Sequence, residues 1–190
     1  ASRLELVAPG SLGIGGVTPS AGMAARSLAI TRNVVCLIRP RGGDFVYSEE
    51  EVRVMEADIA ALRGLGVAQF AIGALRDDGV DQTVVARLVA SGPGATFVFH
   101  RAFDVLLALG ASPEPVVATL ARLGIRRVLT SGGEPEARVE PLARVAEACS
   151  THGLELCVAG KIRCATAPAF AHLTRQFHAA SSVLAQDSEL

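Results

Sequence analysis

Seven short runs of the chain are dense in β-branched, aromatic and aliphatic residues: RLELV (3–7), VVCLIR (34–39), QFAIG (69–73), TFVFH (96–100), RRVLT (126–130), LELCVA (154–159) and QFHAA (176–180). Between them the apolar positions fall at helical spacing, over about 22–31, 49–64, 81–91, 113–123, 137–151 and 165–174. Runs of the first kind predict strands and stretches of the second kind predict amphipathic helices. Ser48 ahead of three glutamates, and Ser112 ahead of Pro113 and Glu114, supply helix starts. Strict strand and helix alternation predicts βαβ units with right-handed crossovers and a parallel sheet. No linker or low-complexity tract interrupts it, so residues 1–190 read as a single domain.

Two architectures accommodate seven such strands, a doubly wound open sheet and an incomplete TIM-type (β/α) barrel. The strand ends lean toward the barrel. If His100 points inward, period-2 alternation turns Thr96 and Val98 inward and aims Phe97 and Phe99 at the helices. The same parity makes Glu5, Arg39, Thr130 and His178 inward, with Leu4, Leu6, Ile38, Leu129 and Phe177 outward. Polar groups gathered from several strand ends fit a barrel mouth, where active sites of that fold lie. Cys36 then faces the helix layer as core filler, and Cys157 is left without a face.

Composition narrows the partners. A chain of 190 residues builds one core that buries roughly 70% of its unfolded surface. No run approaches the ~18 apolar residues of a membrane span. The 18 basic and 19 acidic side chains are interspersed and leave a net charge of -1, which gives no footprint for nucleic acid or an anionic membrane. The expected partner is a small anionic ligand or a metal ion. No secretion signal opens the chain, so a cytoplasmic protein is expected. The four cysteines, at 36, 149, 157 and 164, include no CxxC pair and read as reduced thiols.

The chemistry-bearing residues gather after the strands. Arg39 and Arg41 bracket Pro40, with Gly42 and Gly43 allowing close backbone approach and Asp44 available to neutralise an arginine. Such arginines suit an anion site or a salt-bridge cluster between loops. His100 reads as a general base, a metal ligand or a hydrogen-bonded core histidine. Arg101 and Asp104, three apart, are spaced to pair locally. Glu5 needs a partner among its apolar neighbours, and Arg39 or His100 is the expected one; Glu5, His100 and Arg39 together would suffice for proton transfer beside an anion. Thr130, Ser131 and Gly132 in the TSGG turn offer hydroxyls and backbone N-H groups, the chemistry of an anion nest. Lys161 follows the next strand, near where barrels bind phosphate, and reads equally as a solvated surface lysine. His178 ends the last strand, while His152 falls in a helix-end turn without an assigned role. No set of metal ligands is assigned.

The runs GGVTPS, IRPRGGDFVYSEEE, FHRAFD, RVLTSGG and QFHAAS resemble, in content and order, the copper homeostasis protein CutC family, from Leu4 to about Ser181. The resemblance implies a TIM-type barrel lacking the family's first strand and helix, and copper handling with no defined reaction. It also implies a seam between RLELV and QFHAA, and exposed edges there favour a homodimer or other homo-oligomer. The chain departs from the family pattern in two places. Val7 stands where family members often carry a cysteine proposed to hold Cu(I), and Gly160, Lys161 and Ile162 replace a GGG run. The alternative reading is a TIM-barrel enzyme acting on a small anionic metabolite by acid/base chemistry.

Overall fold

The computed structural model describes residues 2–77 and 79–180; Ser181, the last residue of the QFHAAS run, lies outside them. All seven expected strands form: β1 (Leu4–Leu6), β2 (Val34–Leu37), β3 (Gln69–Ile72), then β6 (Thr96–Phe99), β7 (Ile125–Thr130), β8 (Glu155–Val158) and β9 (Gln176–Phe177). The two-residue strands β4 (Leu75–Arg76) and β5 (Gly79–Val80) make a separate antiparallel ribbon that the sequence pattern does not announce.

Every pairing in the main sheet is parallel, and the spatial order β1-β2-β3-β6-β7-β8-β9 follows the chain order without reversal. A doubly wound sheet needs a reversal point; unidirectional winding is that of a barrel. The sheet curls until its outer strands come within side-chain reach. Arg3 Nη1 donates to Gln176 Oε1 at 3.1 Å, and Glu5 Oε2 lies 3.6 Å from His178 Nδ1. The seam between β1 and β9 is therefore crossed by side chains, while the backbone ladders of both strands run only to β2 and β8.

Burial on both faces of the strands follows from this curl. Cys36, Ile38, Phe70, Ile72, Phe97, Phe99, Ile125, Val128, Leu156 and Val158 pack outward against the helices, and Val35, Leu37, Ala71, Val98, Leu129, Cys157 and Ala159 fill the interior. Cys36 faces the helices as expected, and Cys157 faces inward. The parity of β7 is the correction: Leu129 is interior and Thr130 is not. The ladder explains it, because Phe97 pairs with Ile125 but Val98 with Arg127, so β7 carries one extra residue there. Such a bulge reverses the inward and outward sense of everything beyond it.

The helices are α1 (Ala21–Leu28), α2 (Glu49–Gly64), α3 (Gln82–Ser91), α4 (Ala102–Ala108), α5 (Pro113–Arg122) and α6 (Val139–His152). Ser48 and Glu51 form a reciprocal capping box at the start of α2. Ser112 occupies the N-cap of α5 but makes no side-chain cap bond, leaving Pro113 in the first turn as the start signal. The stretch expected as a helix at 165–174 yields only a 3-10 turn, Ala167–Phe170, with Pro168 in its first turn. Helix α4 was not expected, and it matters most for the site because it carries Asp104.

Candidate functional site

Side chains that follow β1, β2, β6, β7, β8 and β9 meet at the carboxyl-terminal mouth in three separate groups. The first is built on Arg39, 5% exposed. Its Nη1 donates to the carbonyls of Ile14 (2.6 Å) and Gly16 (3.1 Å), and Nη2 to that of Gly43 (2.7 Å). The guanidinium thus ties the GGVTPS loop after β1 to the RGGDF loop after β2. The Arg39 backbone joins the same tie, its N-H donating to Thr18 Oγ1 at 2.9 Å. Neither Glu5 nor Asp44 is its partner. Asp44 pairs instead with Arg41 at 3.0 Å, and Arg41 also reaches Glu51 at 2.5 Å.

His100 lies against this group. It is 5% exposed, and its Nδ1 accepts the Ala102 N-H at 3.1 Å, which leaves the ring proton on Nε2. Its ring centroid is 4.9 Å from that of Phe45, whose other neighbour is the Arg39 guanidinium, also at 4.9 Å. Gly73 makes room for the ring: a Cβ there would come 2.4 Å from His100 Cε1. Burial, with the nearby positive charge of Arg39 as the next cause, pushes the His100 pKa down to about 3, so the imidazole is neutral at ordinary pH.

The second group is centred on Asp104. Its Oδ1 accepts from the Thr130 hydroxyl, the Ser131 N-H (3.0 Å) and the Gly133 N-H (3.0 Å), and its Oδ2 accepts from Arg101 Nε (2.6 Å) and the Ser131 hydroxyl (3.1 Å). Gly132 N-H donates to Thr130 Oγ1 at 2.9 Å. The N-H and hydroxyl groups of the TSGG turn thus surround an internal carboxylate, that of Asp104. Arg101 pairs with Asp104 as the spacing implied and adds a bond from Nη2 to Ser131 Oγ at 2.9 Å.

The third group surrounds a cavity of about 500 Å³ lined by Arg101, Gly160, Lys161, Ile162, Arg163 and His178. Gly160 has φ 93° and packs so closely on the Ser131 side chain that a Cβ would sit 2.7 Å from it. Lys161 itself has φ 56°, a rare conformation for a residue with a side chain, and its Nζ reaches Glu136 Oε1 at 2.5 Å. His178 joins the cavity to Glu5, whose interior position raises its carboxyl pKa through burial, opposed by the His178 charge. Glu5 is therefore brought to His178 and not to Arg39 or His100. The KIR run at 161–163, two cations straight after a strand, was the available signal for Arg163.

The thiols do not assemble. Cys36 and Cys157 lie on opposite faces of the sheet, Cys149 is buried on α6 and Cys164 is exposed. Burial pushes the thiol pKa values of Cys36 and Cys149 up to about 12 and that of Cys157 up to about 11. Cu(I) needs thiolate or thioether donors brought together. Among the described residues no cluster of three histidine, cysteine or acidic side chains is placed to hold a metal ion. This donor set does not fit copper.

The CutC family model matches residues 1–178. The chain belongs to the CutC family. A CutC family protein of Agrobacterium fabrum is 41% identical over 150 residues, which are 77% of this chain and 57% of that protein. One from Klebsiella pneumoniae is 38% identical over 174 residues, 90% of this chain and 67% of that protein. The chain spans little more than half the length of the first curated relatives it matches. Among solved structures, the CutC of Streptococcus agalactiae superposes with a TM-score of 0.83 at 28% identity, covering 93% of this chain and 87% of that one. An aldolase fold, deoxyribose phosphate aldolase of Aeropyrum pernix, gives 0.65 at 14% identity, covering 95% and 86%, which shows a shared barrel architecture alone. Among the described residues no helix is long and apolar enough to cross a membrane.

Proposed function

We propose that this member of the CutC copper homeostasis family binds a small anionic ligand, of phosphate or carboxylate type, in the cavity at its carboxyl-terminal mouth. The observation that carries the reading is the convergence of Arg101, Lys161, Arg163 and His178 on one space of about 500 Å³. Among the described residues Lys161, Arg101 and His178 have acidic partners there, Glu136, Asp104 and Glu5. Lys161 holds the exposed Glu136 carboxyl below its usual range, so an incoming anion competes with a surface carboxylate that water readily takes over. Loops at this end of a barrel are where ligands of the fold commonly bind, with phosphate near the last strands.

The neighbouring pair, Glu5 with its raised pKa and His178 at 3.6 Å, gives the cavity a proton donor and acceptor on its inner side. That pair replaces the trio of Glu5, His100 and Arg39 as the acid/base candidate. Arg39 and His100 support the mouth from beneath, and the Asp104 nest fixes Arg101 at its rim. Copper enters no step here, because the thiols do not converge and burial raises the pKa values of Cys36, Cys149 and Cys157.

Isothermal titration of the parent with inorganic phosphate and with citrate tests the reading. Binding of at least one of them is expected, and Lys161→Ala combined with Arg163→Ala should weaken it at least tenfold while the melting temperature stays within a few degrees. No binding by the parent, or binding that ignores both substitutions, would refute it.

A further inference from the structure

Among the described residues, three polar side-chain atoms buried near the mouth make no hydrogen bond of normal geometry, Arg39 Nε, Tyr47 Oη and His100 Nε2, although the Tyr47 hydroxyl and the Arg39 guanidinium interact directly. All three belong to one neighbourhood. The Arg39 guanidinium and the His100 ring each lie 4.9 Å from the ring of Phe45, and the electrostatic influence of Arg39 reaches both His100 and Tyr47. Buried polar groups are nearly always satisfied, and a group left without a partner carries a desolvation penalty.

The three atoms share a chemical sense. Arg39 Nε is a donor only. His100 Nε2 is a donor because Nδ1 already accepts from Ala102, and the Tyr47 hydroxyl donates or accepts. The Tyr47 hydroxyl offers Arg39 a neutral oxygen, and what the two nitrogens lack is an anionic acceptor. Arg39 also forms no ion pair with a carboxylate among the described residues, and three of its four other N-H groups are spent on the carbonyls of Ile14, Gly16 and Gly43. One positive charge therefore sits buried with dipoles as its only partners. The object against it is flat and apolar, the half-buried ring of Phe45, while the loop that carries Phe45 is fixed by its own contacts: Phe45 O accepts from Leu75 N at 2.8 Å, and Arg41 holds Val46 O at 2.8 Å. With that backbone held, the Phe45 ring is the part of the loop a ligand would have to displace.

We propose that Arg39, Tyr47 and His100 form a second, plugged subsite that takes a planar carboxylate when the Phe45 ring turns away. The slot a phenyl ring vacates is planar, which matches a carboxylate better than a tetrahedral phosphate, and a single buried guanidinium beside a neutral imidazole matches one negative charge. The site is distinct from the cavity of Lys161 and Arg163 and does not depend on it.

The chain supplies its own reporter, since Tyr47 is the one tyrosine and there is no tryptophan. Tyrosine emission is followed as sodium acetate, sodium phosphate or sodium chloride is added at matched ionic strength. Phe45→Ala should answer to acetate at a concentration at least tenfold below that needed by the parent, and phosphate and chloride should give no saturable change. The acetate response of Phe45→Ala should survive Lys161→Ala. A second readout keeps the question open to decision if Phe45→Ala folds poorly: in the parent, saturating acetate should shift the His100 imidazole nitrogen resonances. Equal responses to acetate and chloride, loss of the response on Lys161→Ala, or an unmoved His100 signal would each overturn the proposal.

Discussion

Replacing Asp104 by alanine removes the one buried carboxylate that holds the TSGG turn to α4. The side chain accepts from two backbone N-H groups, Ser131 and Gly133, from the hydroxyls of Thr130 and Ser131, and from Arg101. Thr130 and Ser131 are fully buried, so the backbone donors cannot turn to water without opening the turn. Removing one partner of a buried, charged network costs about 3 to 5 kcal/mol, most of it from donors left without acceptors. For a chain of this size each kcal/mol moves the melting temperature by roughly 2 to 4 °C, so a fall of about 6 to 20 °C is expected. Arg101→Ala, which takes away a half-exposed partner and leaves the nest filled, should cost about 1 kcal/mol or less. Urea denaturation of the two variants beside the parent measures both. Anion affinity adds a discriminating readout: an emptied nest should accept phosphate weakly in Asp104→Ala. Equal losses for both variants, or a loss below about 1 kcal/mol for Asp104→Ala, would show that the nest is not what secures this end of the barrel.

Other outcomes follow from the same geometry. Arg39→Lys keeps the charge but loses the fork that joins the carbonyls of Ile14, Gly16 and Gly43, and should destabilise by about 2 to 4 kcal/mol in thermal or chemical melts. His100 titrates near 6.5 when unfolded and at about 3 when folded, so the unfolded chain binds the extra proton between those values. Stability should therefore fall as pH drops through that window, by about 1.4 kcal/mol per unit, and His100→Asn should flatten that part of the profile. Phe99→Ala, at a fully buried outward position, should cost about 3 to 5 kcal/mol by denaturation. Cys36→Ser should leave copper uptake, measured by elemental analysis after dialysis, unchanged; tight stoichiometric binding lost on that replacement would contradict the placement of this thiol in the helix-facing core.

The sequence pattern carried the strands because both faces of a parallel barrel strand are buried, which concentrates β-branched and aromatic residues into short runs. Parity placed Phe97, Phe99, Ile38 and Cys36 on the helix side correctly, and it failed at Leu129 and Thr130, where the extra residue opposite Phe97 and Val98 leaves no mark in composition. Helix α4 hid behind the strand end that precedes it: seven residues beginning at Ala102 give too short a window for a helical period to stand out. The pairing of Arg101 with Asp104 was legible from a spacing of three. The tie from Asp104 to Ser131 was not, since a contact across 27 positions depends on which strands become neighbours. Glu5 was rightly marked as needing a partner, but its neighbour His178 reaches it across a seam that only the closure of the sheet brings together.

The anion cavity at the mouth is the central claim, and a crystal of the protein grown or soaked with inorganic phosphate tests it most directly. The account predicts tetrahedral density within hydrogen-bond distance of Lys161 Nζ and the Arg163 guanidinium, on the His178 side of the cavity. Phosphate lodged elsewhere, or a mouth that stays free of it at concentrations that saturate the solution titration, would contradict the account.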